Sequence, residues 1–250
     1  MTAATTVVVT ARLATGAAMT PPYDLDLAGL LAAQVHRRDH ARAVEQGTHL
    51  SAPLPDTTGE DCEDLTLPLA RCTRDPALWH WAASCANPTD PLPLPEPRIN
   101  FKMVDTDWAR VAAARPLPYA HPRSGPYRDV LIPRTVVVTP ALTWRAVGDI
   151  DAIAALLHPI TAIGKGRGSG EGRVRGWSIE PGPDMTETQA MDWVHHDGQR
   201  LLRPVPPSCA DTTGLPYDII SFASRPPSWH PDRLADLAAT TSEGTGWATW

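Results

Sequence analysis

Lysine is nearly missing from this chain. Of its 22 basic residues only Lys102 and Lys165 are lysines. We read the arginine bias first as a base-composition habit and second as phosphate recognition, which the planar guanidinium serves well. Cysteine is sparse: Cys62, Cys72, Cys85 and Cys209 contain no CxxC pair, which excludes the common zinc-ribbon and thiol-redox spacings. The start, MTAATTVVVTARL, has no charged region followed by a long apolar one, so no export signal is expected and the thiols are expected to be reduced. No apolar run approaches the roughly 18–20 residues that span a bilayer. An excess of positive charge is absent too. The net charge of −6 excludes a protein basic over its whole surface but leaves room for a local basic groove.

What the chain has in excess is proline, 27 in 250 residues. Each removes a backbone donor and fixes φ, so an all-helical bundle is not expected and long irregular connections are. With 42% hydrophobic and 20% charged residues, the composition is that of a globular protein with one large domain or two small ones.

The β-branched run TTVVVTARL at 5–13 predicts a first strand. Leu27, Leu30, Leu31 and Val35 then recur at helical spacing, predicting a helix over 25–45 with Asp24 as N-cap and Gly47 as stop. The middle reads as an acidic loop (DTTGEDCED), LTLPLA and LWHWAAS, a proline-rich NPTDPLPLPEP and INFKMVD. We expect short strands or a hairpin arm projecting from the body there, inserted at about 46–130. The proline-rich piece suits no central strand. LIPRTVVVTPALTWRAV at 131–147 is strand material broken at Pro140. IDAIAALLHPI carries Ile150, Ile153, Leu156 and Leu157 on one helix face, and RVRGWSIEP ends in a further strand. Strand–helix thus occurs twice, each unit closed by a strand: an α+β class and the βαββαβ order of a ferredoxin-like fold. The halves are too dissimilar to be a repeat. Residues 1–181 form the expected domain, and 182–250 an extension packing on it. Five of nine Trp lie from 177 onward.

The most informative stretch is GKGRGSGEGRVRG at 164–176, which holds six of the 17 glycines. Gly164, Gly166, Gly168, Gly170 and Gly172 let the backbone approach a ligand closely, and such loops form anion nests. Lys165, Arg167, Arg173 and Arg175 against Glu171 leave a local excess of three positive charges, which suits a phosphate backbone. The Walker pattern fails because Gly166 follows Lys165, and GxGxxG fails at Ser169 and Glu171. A helix leads into this loop and a strand leaves it, the reverse of strand–loop–helix nucleotide sites. An extended polyanion fits better, and a linker with incidental charge is the plain alternative.

Helix, then ITAIGKGRGSGEGRV, then strand resembles the glycine-rich loop of the RAMP superfamily of CRISPR-associated proteins. Together with LDLAGLLAAQVHRR, LWHWAAS, DGQRLLRPVP and RPPSWHP, it resembles the type IV effector subunit of the Cas-five kind. The resemblance implies a ferredoxin-like, RRM-related domain with an inserted β arm, cytoplasmic in a prokaryote. It implies a non-catalytic subunit that holds the 5′ handle of a guide RNA (crRNA) and contacts the backbone and other subunits of an effector complex, in defence or inter-plasmid competition. Lys165, Arg167, Arg173 and Arg175 would contact phosphate, with Arg203 in LLRPVP and Trp229 in PPSWHP at family motif positions.

Catalysis and metal are the rival readings. His36 and His40 share a helix face but lack the HExxH glutamate. His80 reads as a buried strand residue, Trp229 as a packing anchor, and His195-His196 as a helix end. Cys62, Cys72, His80 and Cys85 match no finger spacing, and DTTGEDCED lacks calcium-loop order. No catalytic residue, metal or cofactor is therefore expected. A metal-independent endoribonuclease that processes guide RNA and a protein-only assembly subunit remain the alternatives.

Overall fold

The alternation in Thr6–Leu13 sets the architecture. Val7, Val9, Ala11 and Leu13 are buried on one side of this strand, and the residues between them face the other way. The computed structural model describes residues 3–19, 23–48, 64–89, 95–102 and 130–240. The acidic stretch up to residue 63 with Cys62, the connection over 103–129, and the two last tryptophans lie outside the described residues.

In chain order the strands are β1 (Ala3–Ala4), β2 (Thr6–Leu13), β3 (Ala17–Ala18), β4 (Arg71–Cys72), β5 (His80–Trp81), β6 (Asn87–Pro88), β7 (Pro95–Lys102), β8 (Val130–Val137) and β9 (Ala141–Val147). They continue as β10 (Val174–Pro181), β11 (Met185–Thr186), β12 (Tyr217–Ala223) and β13 (Leu234–Thr240). The helices are α1 (Leu27–Glu45), α2 (Ile150–Leu157), α3 (Glu187–His195) and the single turn α4 (Pro207–Ala210). The class is α+β, with antiparallel sheets.

The central sheet has the order β10-β2-β9-β6, every pair antiparallel. Its first face is covered by α1 and α2. Leu27, Ala28, Leu31 and Val35 from α1 and Ile153 and Leu157 from α2 join the inward residues of β2 and β9 in the main core. Trp144 of β9 is fully buried there, donates its indole N–H to the Leu25 carbonyl at 2.8 Å and lies 5.8 Å from Trp177. Helix α1 starts two residues later than its sequence predicts. Leu25 takes a left-handed φ of 59°, which no helical residue can hold, so Asp26 rather than Asp24 caps the N-terminus by accepting from the Ala28 N–H. Gly47 lies just past the end with φ 68°, as a C-terminal glycine should.

The second face is covered by the C-terminal residues. Helix α3 packs on β9, where Arg145 donates to the Trp193 and His196 carbonyls, and β11 pairs with β1. A second core gathers Ala190, Met191, Val194, Leu201 and Val205 with Cys72 and Cys209.

The middle region divides differently from its expected form. Residues 64–89 are part of the body: Trp81, Ala82, Ala83, Ser84 and Cys85 are buried, and Ser84 and Ala82 hydrogen-bond to β9. Asp64, the last residue of the acidic stretch, pairs with Arg225 at 2.9 Å and Arg233 at 2.8 Å. The arm is the β7–β8 hairpin, whose sheet order is β3-β8-β7. Pro88 and Pro95 lie in β6 and β7, both edge strands, where a missing donor breaks no ladder.

Replacing Trp144 by Ala should cost about 3–5 kcal/mol through the cavity it leaves. Urea unfolding followed by far-UV circular dichroism measures this, and a loss below about 1 kcal/mol would mean the packing described here is wrong.

Candidate nucleic-acid interface

The stretch 164–176 folds as a pinned turn between α2 and β10. The Lys165 N–H donates to the Ala18 carbonyl at 2.8 Å, the Gly172 N–H to Gly16 at 2.8 Å and the Ile163 N–H to Gly172 at 2.9 Å. Thr15 fastens it again, its hydroxyl donating to the Gly170 carbonyl and accepting from the Arg173 N–H. Between these ties lies one 3-10 turn, Arg167–Ser169.

Two glycines make this closeness possible. Gly164 has φ 79°, and a Cβ there would stand 2.6 Å from the Ala18 carbonyl oxygen. Gly172 has φ 66°, and a Cβ would collide with the carbonyl oxygen of Ile163. Both positions combine a left-handed backbone with abutting main chain, which only glycine tolerates.

Lys165, Arg167, Arg173 and Arg175 are exposed, and Gly168 and Gly170 lie open between them. Arg175 is the extra residue in an irregular step of the β10–β2 ladder, where Val174 faces Leu13 and Gly176 faces Arg12; such a bulge re-aims its side chain. Lys165 also meets Asp24 at 3.3 Å.

The root of the arm adds charge that sequence reasoning missed. Glu171, which appears in sequence to neutralise the loop, is buried and accepts from Arg98 of β7 at 2.9 and 3.1 Å. Glu96 also faces Arg98, at 3.2 Å, and the two carboxylates raise the Arg98 guanidinium further above its already high range, Glu171 foremost. Arg134 of β8 lies so close to Gly166 that a Cβ there would strike its Nη1, and that nitrogen is buried with no hydrogen-bond partner among the described residues. Sequence spacing gives no sign of either arginine, since both reach the loop from the β7–β8 arm, where they face each other across the ladder.

Arg203 does not belong to this surface. It is 3% exposed, and its guanidinium donates to the carbonyls of Trp81, Ala83, Pro204 and Ser224. All its contacts are internal, so it is a strut between residues 81–83 and the C-terminal region, not a phosphate contact. Trp229 departs in the opposite sense from the expected anchor: it is 56% exposed, resting beside His230.

Among the histidines, His36 and His40 are on the exposed side of α1. His80 and His195 are wholly buried, with their Nε2 atoms 2.9 Å apart. Burial lowers both imidazoles, His195 to about 4, which favours their neutral forms. Cys72 and Cys209 adjoin them, sulfur to sulfur 3.9 Å. The hydrogen bond from the Cys209 thiol favours the Cys72 thiolate and raises Cys209 in turn. Four metal-ligating side chains therefore meet in the second core. Only Cys72 and His80 were in the group the sequence suggested: Cys85 instead donates to the Tyr23 carbonyl.

Gly172→Ala should destabilise the protein by at least about 1–2 kcal/mol, the cost of a left-handed alanine before the backbone clash is added. Gly168→Ala, in open space without a left-handed φ, should stay within about 0.5 kcal/mol of the parent. Thermal melts of the two variants check the contrast, and equal melting temperatures would deny that the loop is pinned.

Residues 6–237 match the family model of the CRISPR type IV associated protein Csf3. No curated protein matches the chain.

Proposed function

The chain belongs to the family of the CRISPR type IV associated protein Csf3, and on that premise we propose that it is the non-catalytic subunit that binds the 5′ handle of the guide RNA in a type IV effector complex. The observation that carries this reading is the pinned glycine loop. Its backbone comes within reach of a ligand at Gly168 and Gly170, and Lys165, Arg167, Arg173 and Arg175 are exposed around it. The Nη1 of Arg134, buried with no hydrogen-bond partner among the described residues, stands behind it. Main-chain N–H groups and arginines on a fixed frame suit splayed, single-stranded phosphates.

The sheet order supports a ferredoxin-like, RAMP-type core. Numbering only the four strands of the βαββαβ series, β2, β6, β9 and β10, the order in space is fourth-first-third-second, all antiparallel, with both helices on one face. The arm supplies a surface for a neighbouring subunit: Ile99, Phe101 and Leu131 are 59%, 72% and 59% exposed along β7 and β8, an apolar grouping that suits a protein partner. His80 and His195, whose Nε2 atoms lie 2.9 Å apart, are shut away from solvent and so do not present themselves to an RNA strand.

The complex purified with its genomic neighbours should carry short RNAs that share one repeat-derived 5′ end. If all four loop cations contact phosphate, their joint replacement by Ala should reduce the log–log salt slope of RNA binding by about 3, from about 0.7 per phosphate. An unchanged slope removes the loop from the interface. A complete complex that survives nuclease and lacks RNA favours the protein-only assembly role, and cleavage of repeat RNA by the protein alone favours the endoribonuclease.

A further inference from the structure

The second core contains a group that the RNA-binding reading does not use. Cys72, His80, His195 and Cys209 each offer one ligand atom, and the four atoms lie within 4.8 Å of one another. The four residues are at most 2% exposed. They come from three places. Cys72 and His80 face each other across the β4–β5 pair, His195 ends α3, and Cys209 lies in α4.

We infer that Cys72, His80, His195 and Cys209 form a closed, tetrahedral Cys₂His₂ site for a structural zinc ion. Two soft thiolates and two imidazoles are the donor set that zinc prefers. With Zn–S near 2.3 Å and Zn–N near 2.0 Å, a regular tetrahedron separates its sulfurs by about 3.8 Å and its nitrogens by about 3.3 Å. The sulfurs stand at 3.9 Å, and the nitrogens at 2.9 Å need only a few tenths of an ångström more. The second shell is ready on one side. His80 Nδ1 lies 3.3 Å from the Leu78 carbonyl, so that nitrogen carries the proton and Nε2 presents its lone pair.

Proton bookkeeping argues for a cation. If His195 carries its proton on Nδ1, two Nε2 lone pairs confront each other at 2.9 Å. If it carries the proton on Nε2, the Nδ1 lone pair is stranded, for that atom is buried with no partner among the described residues. A cation turns the first arrangement into two coordinate bonds and leaves only the His195 Nδ1–H unbonded. Zn²⁺ held by two thiolates and two neutral imidazoles carries no net charge into the core. All four positions are filled by protein, which marks the ion as structural rather than catalytic. Its work is to fasten the β4–β5 hairpin of the body to α3 and α4 of the C-terminal region.

The test uses the full chain, expressed with zinc in the medium and purified without chelator. Elemental analysis should find one zinc per chain, falling to none in a Cys72→Ser, Cys209→Ser variant. X-ray absorption at the zinc edge of the parent should show two sulfur and two nitrogen scatterers, a readout that stands even if the variant fails to fold. Cobalt exchanged into the site should give the intense d–d bands of a tetrahedral thiolate complex. Chelation should lower the melting temperature of the parent. A zinc-free protein that takes up neither zinc nor cobalt would overturn the assignment, as would zinc retained by the double variant, a nitrogen–oxygen shell without sulfur, or a Cys72–Cys209 disulfide in the freshly purified chain.

Discussion

The pairing of β2 with β9 on one side and β10 on the other is the constraint on which the rest depends. It fixes the inward face of Val7, Val9 and Ala11 against the helices, because a one-residue slip would turn every one of them outward. The chain runs on from β2 through Thr15 and Gly16 to Ala18 of β3, and those residues hold the glycine loop by its main chain. The loop is thus an extension of the sheet's hydrogen bonding, and its exposed cations are held on a frame instead of a tether.

The arm and the loop share a root. Arg98 of β7 satisfies the buried Glu171, and Arg134 of β8 lies against Gly166. A carboxylate removed from water needs such a partner, and here the partner belongs to the element that carries the exposed apolar residues Ile99, Phe101 and Leu131. The exposed apolar residues of the arm and the exposed cations of the loop are therefore joined by a charged contact at their common base.

Local pattern made β2, α1, the break at Pro140, α2 and β10 readable, because each announces itself within a dozen residues through periodicity, a cap or a breaker. Asp149 capping α2 through the Ala152 N–H is of this kind. The start of α1 moved by two residues because a single left-handed Leu25 precedes it, which no pattern reveals. The loop's glycines and cations were legible as a cluster, whereas Arg98 and Arg134 were not, since they arrive from strands far away in the chain. Arg203 misled for a related reason: an arginine in a proline-flanked stretch has the same letter whether it meets phosphate or the carbonyls of Trp81 and Ala83. The Cys72, His80, His195 and Cys209 group was hidden because its halves are separated by a whole domain's worth of sequence.

That separation also governs the order in which the chain can mature. His80 waits for a residue 115 positions later, Cys72 for one 137 later, and the Trp81 carbonyl for Arg203, 122 later. While the chain emerges from the ribosome, the helix-covered face of the central sheet can close as soon as β10 is made. The opposite face, with the β4–β5 hairpin and its polar side chains, stays uncovered until α3 and α4 have followed. Contacts of such long reach form slowly and expose apolar surface in the meantime. The stretch carrying α3 and α4, made after the β4–β5 hairpin, is therefore the one that decides when that hairpin stops being adhesive.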